Sequence, residues 1–445
     1  MKISVVGAGY VGLVTAACLA ERGHTVICVD VDRDKIDMVR RAVSPIYERG
    51  LEELLRANVG MRLHATTDLQ QAVVESDVTM IAVGTPFDGS AIDLTQIREA
   101  AGSVGNALRN KSSYHLVVVK STVVPGTTDE VVLPRLEATS GRKAGPDFGV
   151  GMNPEFLTEG EAIDDFMFPD RLILGGMDER TIEALAAVYS PFNGIDQLRT
   201  NNKTAEMIKY TSNALLATAI SFSNEIANLC SALGHIDAAD VLRGLHLSKY
   251  LSPILPNGSR LVAPITTFLW AGCGFGGSCL PKDVRALIAH GKQAGRPTPL
   301  LEAVIRINEH QPLQLVSLLK RHFPSLNGVR VTILGLAFRP DTDDMRESPA
   351  IPIIRELLGA GAEIKAYDPV ATHQAERLIP DRHVLLCDDL RDAITDAQAV
   401  VLVTPWDEFH RLPDLLASMR PQPVVIDGRR MLDKHSVARY DGIGL

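Results

Sequence analysis

No run of apolar residues in this chain reaches membrane-spanning length without a charge, glycine or proline interrupting it, which argues against a membrane anchor. The six cysteines (Cys18, Cys28, Cys230, Cys273, Cys279 and Cys387) lack the paired spacing of a zinc site or a disulfide framework. No metal is therefore expected, and a reducing cytoplasm is the natural setting. Basic residues are not in excess: 45 Lys and Arg stand against 54 Asp and Glu, a net charge of −9. Nothing in that balance points to nucleic acid, although a local basic pocket for a phosphate is compatible with it. The N-terminus runs directly into a β-branched stretch at 2–6, without the charged and apolar regions of a secretory signal. What is left is a globular chain of 445 residues, 46% hydrophobic and 22% charged, long enough for about two or three domains.

The pattern along the chain indicates α/β architecture. Short β-branched runs at 3–6, 26–29, 78–83, 115–120, 148–152 and 172–175 alternate with amphipathic stretches, as in a parallel sheet covered by helices. From 202 to 233 an Ala-rich segment without proline predicts one helix, about 30 residues and roughly 45 Å long. It is too long for one small core and suits a spine between domains or a dimer interface. Alternation resumes with expected strands at 329–334, 363–366, 400–403 and 424–426 and helices near 351–358 and 371–378. The expected fold is two Rossmann-like doubly wound domains joined by a long central helix and a small helical domain, divided at 1–200, 201–310 and 326–445.

Gly7-Ala8-Gly9-Tyr10-Val11-Gly12 follows the first strand and opens a helix at 13–22. Its glycines allow a tight turn, close approach to a pyrophosphate and close helix–strand packing, and the helix N-terminus supplies amide donors to that anion. Asp30 closes the second strand, 18 residues beyond Gly12. A carboxylate there accepts from both ribose hydroxyls and repels a 2′-phosphate, so NAD is favoured over NADP. Arg33 is the nearby feature that would instead favour the phosphate.

Gly274-Phe275-Gly276-Gly277-Ser278-Cys279-Leu280-Pro281-Lys282-Asp283 places one thiol at the end of a glycine-rich turn, with a lysine and a carboxylate close behind. Small residues let other groups approach the sulfur, and positive charge favours the thiolate. A nucleophilic cysteine beside NAD suggests aldehyde-level chemistry, because a thiol traps an aldehyde covalently. The bland alternative is a buried cysteine at a tight turn. Lys209 and Asn213 lie one helical turn apart, so both side chains face the same side of the expected spine helix, where an ammonium and an amide can stabilise an oxyanion. Glu155 and Glu159 are spaced alike and, taken alone, read as a solvated helix face. Asp283 has a comparable local alternative as a helix cap, and Arg346 as an ion pair with Asp343 or Asp344.

With these pieces assembled, the chain resembles the UDP-glucose/GDP-mannose dehydrogenase family over nearly its whole length. The marks are Val83-Gly84-Thr85-Pro86, Lys120-Ser121-Thr122-Val123, Asn153-Pro154-Glu155-Phe156-Leu157, Ala205-Glu206-Met207-Ile208-Lys209-Tyr210-Thr211-Ser212-Asn213, the Cys279 turn, Gly335-Leu336-Ala337-Phe338-Arg339-Pro340-Asp341 and Asp427-Gly428-Arg429-Arg430. The resemblance implies oxidation of a nucleotide-sugar primary alcohol to a carboxylate with two NAD in turn. It implies that Cys279 forms a thiohemiacetal and then a thioester, with Lys209, Asn213, Asp283, Glu155 and Thr122 as its catalytic company. By resemblance Gly7, Gly9, Tyr10, Val11, Gly12, Asp30, Thr85, Pro86, Thr122, Glu159, Lys282 and Arg346 meet the cofactor. Glu155, Phe156, Leu157, Lys209, Asn213, Phe275, Gly276, Phe338, Arg339 and Arg429 meet the nucleotide-sugar, the arginines suiting a diphosphate.

The chain departs from the family pattern between the spine and Cys279. Where the family carries an arginine that reaches substrate across a dimer interface, this chain has Leu247-Ser248-Lys249-Tyr250-Leu251-Ser252-Pro253 and then Asn257-Gly258-Ser259-Arg260. Arg260 or Lys249 is the expected replacement. UDP-glucose is the expected substrate and GDP-mannose or another nucleotide-sugar the alternative, with a homodimer or larger homo-oligomer as the assembly. Two competing readings are a two-electron hydroxyacid dehydrogenase, which leaves Cys279 unused, and a nucleotide-sugar-binding regulator without turnover.

Overall fold

The alternating strands and helices close into two sheets in a computed structural model, which describes residues 1–380 and 382–445. The chain divides into two units, Met1–Ser212 and Asn213–Leu445. In the first unit the strands are β1 (Lys2–Val6), β2 (Thr25–Val29), β3 (Leu63–Thr66), β4 (Val78–Ile81), β5 (His115–Val119), β6 (Phe148–Met152), β7 (Leu172–Gly176) and β8 (Gln197–Thr200). Their order is β3-β2-β1-β4-β5-β6-β7-β8, and β6 with β7 is the antiparallel pair. β4, β5 and β6 are buried at every residue, as strands covered on both faces must be. The order reverses between β1 and β4, which opens a crevice at their carboxyl ends.

The second unit repeats the plan with β9 (Arg330–Leu334), β10 (Glu363–Tyr367), β11 (Val384–Leu386), β12 (Ala399–Leu402), β13 (Val424–Asp427) and β14 (Tyr440–Gly442). The order is β11-β10-β9-β12-β13-β14, with every neighbouring pair parallel. The 32-residue helix Asn202–Leu233 carries the division between the units within it. Among the described residues no helix is long and apolar enough to cross a membrane.

The four strands that the sequence reading did not anticipate are β3, β8, β11 and β14, and all four are sheet edges. Edge strands are short and one-sided; here they read LHAT, QLRT, VLL and YDG and are partly exposed, so no buried apolar run marks them. The fingerprint helix also begins earlier than expected, at Tyr10 rather than residue 13, because extended Gly9 is its N-cap. A larger correction concerns Glu155 and Glu159. Residues 153–158 are irregular, and the next helix starts only at Ala162. With no helix at these positions and Glu155 buried at 7% exposure, a solvated helix face is excluded.

Candidate active site

In the first unit the fingerprint turn shows which glycines the fold itself requires. Gly7 has φ +107°, and a Cβ there would lie 2.5 Å from the Ala82 carbonyl oxygen. A Cβ on Gly12 would lie 1.8 Å from the Gly7 oxygen, so helix and turn could not close. A Cβ on Gly9 would meet nothing within 4 Å. Packing does not demand a glycine there; a cradle for a pyrophosphate does. Asp30 ends at this turn, its Oδ2 accepting from Ala8 N at 2.6 Å and its Oδ1 from Asp32 N at 2.9 Å. The Tyr10 hydroxyl donates to the Glu48 carboxylate and accepts from Gly160 N at 3.1 Å. Burial, then the Glu48 carboxylate and the Glu159 charge, hold the Tyr10 phenol well above its ordinary range. Thr85 Oγ1 donates to Thr122 O at 2.8 Å, joining the turn after β4 to the turn after β5, and Pro86 O accepts from Asp93 N at 2.8 Å. Val11 packs against the core.

A buried ion pair lies in the same unit. Lys209 Nζ is 3.1 Å from Glu155 Oε1, with side chains 4% and 6% exposed. Glu155 Oε2 also accepts from Leu157 N at 2.6 Å. Burial works to raise the Glu155 carboxyl, but the Lys209 ammonium, the Leu157 amide and the Lys120 charge outweigh it and hold it below the usual carboxylate range. Phe156 lies beneath both cations that flank it, with the Arg171 guanidinium 4.1 Å and Lys209 Nζ 5.4 Å from its ring centre. A cavity of about 250 Å³ opens beside them, lined by Lys120, Asn153, Glu155, Phe156, Arg171 and Tyr189.

In the second unit Cys279 is the N-cap of the helix Leu280–Gln293, and its carbonyl accepts from Asp283 N at 2.8 Å. All six cysteines lie among the described residues; five are buried, and Cys279 is partly exposed. Burial pushes the thiols of Cys18 and Cys28 up to about 12 and raises those of Cys273 and Cys387, so these are inert packing residues. Ser278 Oγ is 3.6 Å from the Cys279 sulfur, and the cap position sets the thiol beside the first amides of that helix. Asp283 is 1% exposed. Its Oδ2 accepts from Asn213 Nδ2 at 2.6 Å and its Oδ1 from Lys282 Nζ at 2.5 Å. Asp283 is thus a buried acceptor for two predicted site residues, and Cys279 occupies the cap position instead.

The glycines of the thiol turn have a packing reason. A Cβ on Gly276 would lie 2.3 Å from Glu347 O, and one on Gly277 would lie 2.8 Å from the Phe338 ring. Gly277 N donates to Arg346 O at 2.8 Å. The turn before the sulfur is therefore pressed against the loop after β9, which carries Phe338, Arg339 and Arg346. The Arg346 guanidinium pairs with Asp344 at 2.7 Å, the structural ion pair weighed as its alternative. Arg429 Nε donates to Val403 O at 2.6 Å and Nη1 to Gly274 O at 3.2 Å, so it braces the same turn. Phe275 is held by Asn308 in both directions, N to Oδ1 at 2.8 Å and Nδ2 to O at 2.9 Å. Arg260 is exposed and donates to Leu247 O and Ser252 O at 2.8 and 2.7 Å, bracing its own loop. Lys249 Nζ lies 5.4 Å from the centre of the Tyr250 ring.

At the end of β10, Asp368 holds the position that Asp30 holds after β2, but it is spent internally. Its Oδ2 accepts from Leu336 N, Ala337 N and Trp406 Nε1, and its Oδ1 from Val370 N and Ala371 N, all within 3.1 Å. No oxygen is left facing outward for a ribose.

Three residues of the site escaped the sequence reading. Lys120 is buried and donates to Asn153 Oδ1 at 2.9 Å; burial, opposed by Glu155, pushes its ammonium down to about 8. Its signal was a lysine closing a strand that is buried at every residue. Glu206 lies buried in a segment quoted only as a family mark. Asn308 reaches Phe275 across 33 residues of sequence and left no local signal.

Comparison with known proteins gives matches to three domain descriptions of one family. These are UDP-glucose/GDP-mannose dehydrogenase family, NAD binding domain, over residues 1–193; central domain over 203–310; and UDP binding domain over 332–434. The UDP-glucose 6-dehydrogenase of Haloferax volcanii is 42% identical, with 100% of each chain covered. The GDP-mannose 6-dehydrogenase of Pseudomonas aeruginosa is 40% identical, covering 90% of this chain and 91% of that one. Among solved structures, a UDP-glucose dehydrogenase from Pyrobaculum islandicum superposes with a TM-score of 0.90 at 37% identity, covering 100% of this chain and 97% of that one.

Proposed function

The chain belongs to the UDP-glucose/GDP-mannose dehydrogenase family of NAD-dependent enzymes, and from that premise we propose that it oxidises C6 of UDP-glucose to the carboxylate through covalent intermediates on Cys279. The observation that carries this reading is the thiol itself: the one cysteine of six that is not buried stands at a helix N-terminus. When bound, NAD supplies the hydride acceptor, twice per sugar. Gly9 and the amides of the first turn would hold its pyrophosphate and Asp30 its ribose. Asn213 and Lys209 hold the C6 oxygen as the alcohol loses a hydride to become an aldehyde, and its hydroxyl proton passes by way of Asp283 to water. Cys279 Sγ then bonds to C6 as the carbonyl oxygen takes a proton from water, giving a thiohemiacetal; a second hydride leaves C6 and the hydroxyl proton returns to water by way of Asp283, leaving a thioester. Ionised Glu155 accepts a proton from water, which attacks C6, breaks the C–S bond, releases the uronate and returns the thiolate. Lys209 and Asn213 stabilise the oxyanion, such donors being worth about 3–4 kcal/mol each. Thr122 orients water and cofactor, while Phe338, Arg339 and Arg429 hold the nucleotide end.

The test is NADH formed per mole of limiting UDP-glucose, with GDP-mannose in parallel. Two NADH are expected with UDP-glucose; one NADH, with stable aldehyde release, overturns the thiol route. A second reading keeps the chemistry and exchanges the sugar. It is favoured by the 40% identity to a GDP-mannose 6-dehydrogenase, and two NADH with GDP-mannose alone would select it.

The reading includes a homodimer in the cytoplasm, where thiols stay reduced. Leu215, Phe222 and Leu229 recur every seventh residue of the long helix and are 59%, 45% and 53% exposed, the stripe of a helix that packs against a copy of itself. Phe222→Asp is expected to convert the dimer to monomer in sedimentation velocity. An unchanged sedimentation coefficient would remove the helix from the interface.

A further inference from the structure

Glu206 is fully buried, at 0% exposure, on the long helix one turn before Lys209. It belongs to neither the thiol chemistry nor the cofactor turn, yet its carboxylate reaches across to the segment that follows Thr122. Oε2 accepts from Gly126 N at 2.5 Å and Oε1 from Thr128 N at 2.8 Å. Gly126 has φ +103°, and the chain then enters the π-turn Thr128–Val132 before the helix Leu133–Ser140. A π-turn leaves amides without their usual partners and recurs at functional sites. Here a side chain from another element supplies the missing acceptors.

We infer that Glu206 is a positioning residue whose ionised carboxylate clamps the turn carrying Thr122 to the helix carrying Lys209, and that protonation releases the clamp. This rests on the catalytic reading of Thr122 and Lys209 given above. The Gly126 and Thr128 amides can only donate, so a proton on either oxygen takes an acceptor from one of them and sets O–H against N–H. The surrounding charges do not replace it. Asp129, on the turn, accepts from Asn202 Nδ2 at 2.7 Å, and Glu130 pairs with Lys203 at 3.2 Å. Lys209 pairs with Glu155. Burial raises the Glu206 carboxyl and the Asp129 charge adds to it; the Thr128 side chain, then the Thr128 and Gly126 amides, oppose them, and the balance lies at about 7. Ionising Glu206 therefore costs global stability between the ordinary carboxylate range and about pH 7, while it tightens this one turn.

The test is hydrogen exchange of peptides spanning 122–132 in the full-length protein from pH 6 to pH 8, corrected for intrinsic exchange, beside steady-state kinetics of wild type and Glu206→Gln. In wild type, protection of the Gly126 and Thr128 amides is expected to rise about tenfold between pH 6 and pH 8 with a midpoint near 7. In Glu206→Gln it is expected to be low and independent of pH, with kcat at pH 8 reduced about tenfold and KM for the nucleotide-sugar changed less than about twofold. Full protection at pH 8 in the variant, or no step in wild type, overturns the inference. The wild-type measurement decides even if the variant does not fold. A step in exchange without NADH from any nucleotide-sugar would uphold the clamp and overturn the oxidation reading instead.

Discussion

Cys279→Ala is expected to make no uronate, with kcat for the full oxidation reduced by about four to six orders of magnitude, as when other covalent nucleophiles are removed. The variant keeps its fold, because the Cys279 side chain is partly exposed and its loss opens no core cavity. On the proposed route the first hydride transfer does not need the sulfur, so a rapid-mixing experiment at high enzyme should show at most one NADH per sugar, with aldehyde trapped by hydroxylamine. Wild-type yields of uronate from this variant would exclude the covalent route. Iodoacetamide offers an independent check on the native protein: mass spectrometry should find Cys279 alkylated and the five buried cysteines untouched, with activity lost in proportion.

Lys209→Met is the second large effect, and it should appear in stability as well as in rate. Removing one partner of a buried ion pair leaves the other charge uncompensated, at a cost of about 3–5 kcal/mol. The pH dependence separates this from a simple packing defect. In wild type the Glu155 carboxyl is depressed, so the stability it contributes is present above the unfolded carboxylate value, about 4.3, and is lost as pH falls through the folded one. Without Lys209, burial dominates and raises the same carboxyl, so the variant should lose stability as pH rises from 5 to 7.5. Urea midpoints at the two pH values measure it. Adding Glu155→Gln to Lys209→Met should recover much of the loss, and failure to recover would place the damage elsewhere.

The difference between what the sequence conveyed and what it concealed has physical causes. Central strands are apolar on both faces, so β1, β4, β5 and β6 stood out, whereas the four sheet edges carry no such run. The fingerprint glycines were visible because their spacing encodes a turn. The thiol turn was visible as a motif, but its reason was not: Gly276 and Gly277 are small because Phe338 and Glu347 press on them, some sixty or seventy positions away. Glu155 and Glu159 misled because spacing alone cannot report that Glu155 turns inward to Lys209 and the Leu157 amide. Lys120, Glu206 and Asn308 act through long-range hydrogen bonds, which leave no periodicity behind.

Asp368 has a bearing on how many dinucleotides one chain can take up. Both sheets share the strand order that makes a nucleotide crevice, so topology by itself would allow two equivalents. The second crevice has turned its acidic residue inward onto five donors of its own protein, and a ribose arriving there finds no acceptor. Titration with NAD should therefore saturate at one equivalent per chain, and a large excess of oxidant should not compete with the nucleotide-sugar for its own domain. Saturation at one equivalent would mean that a carboxylate turned onto its own protein keeps the cofactor out of the second crevice.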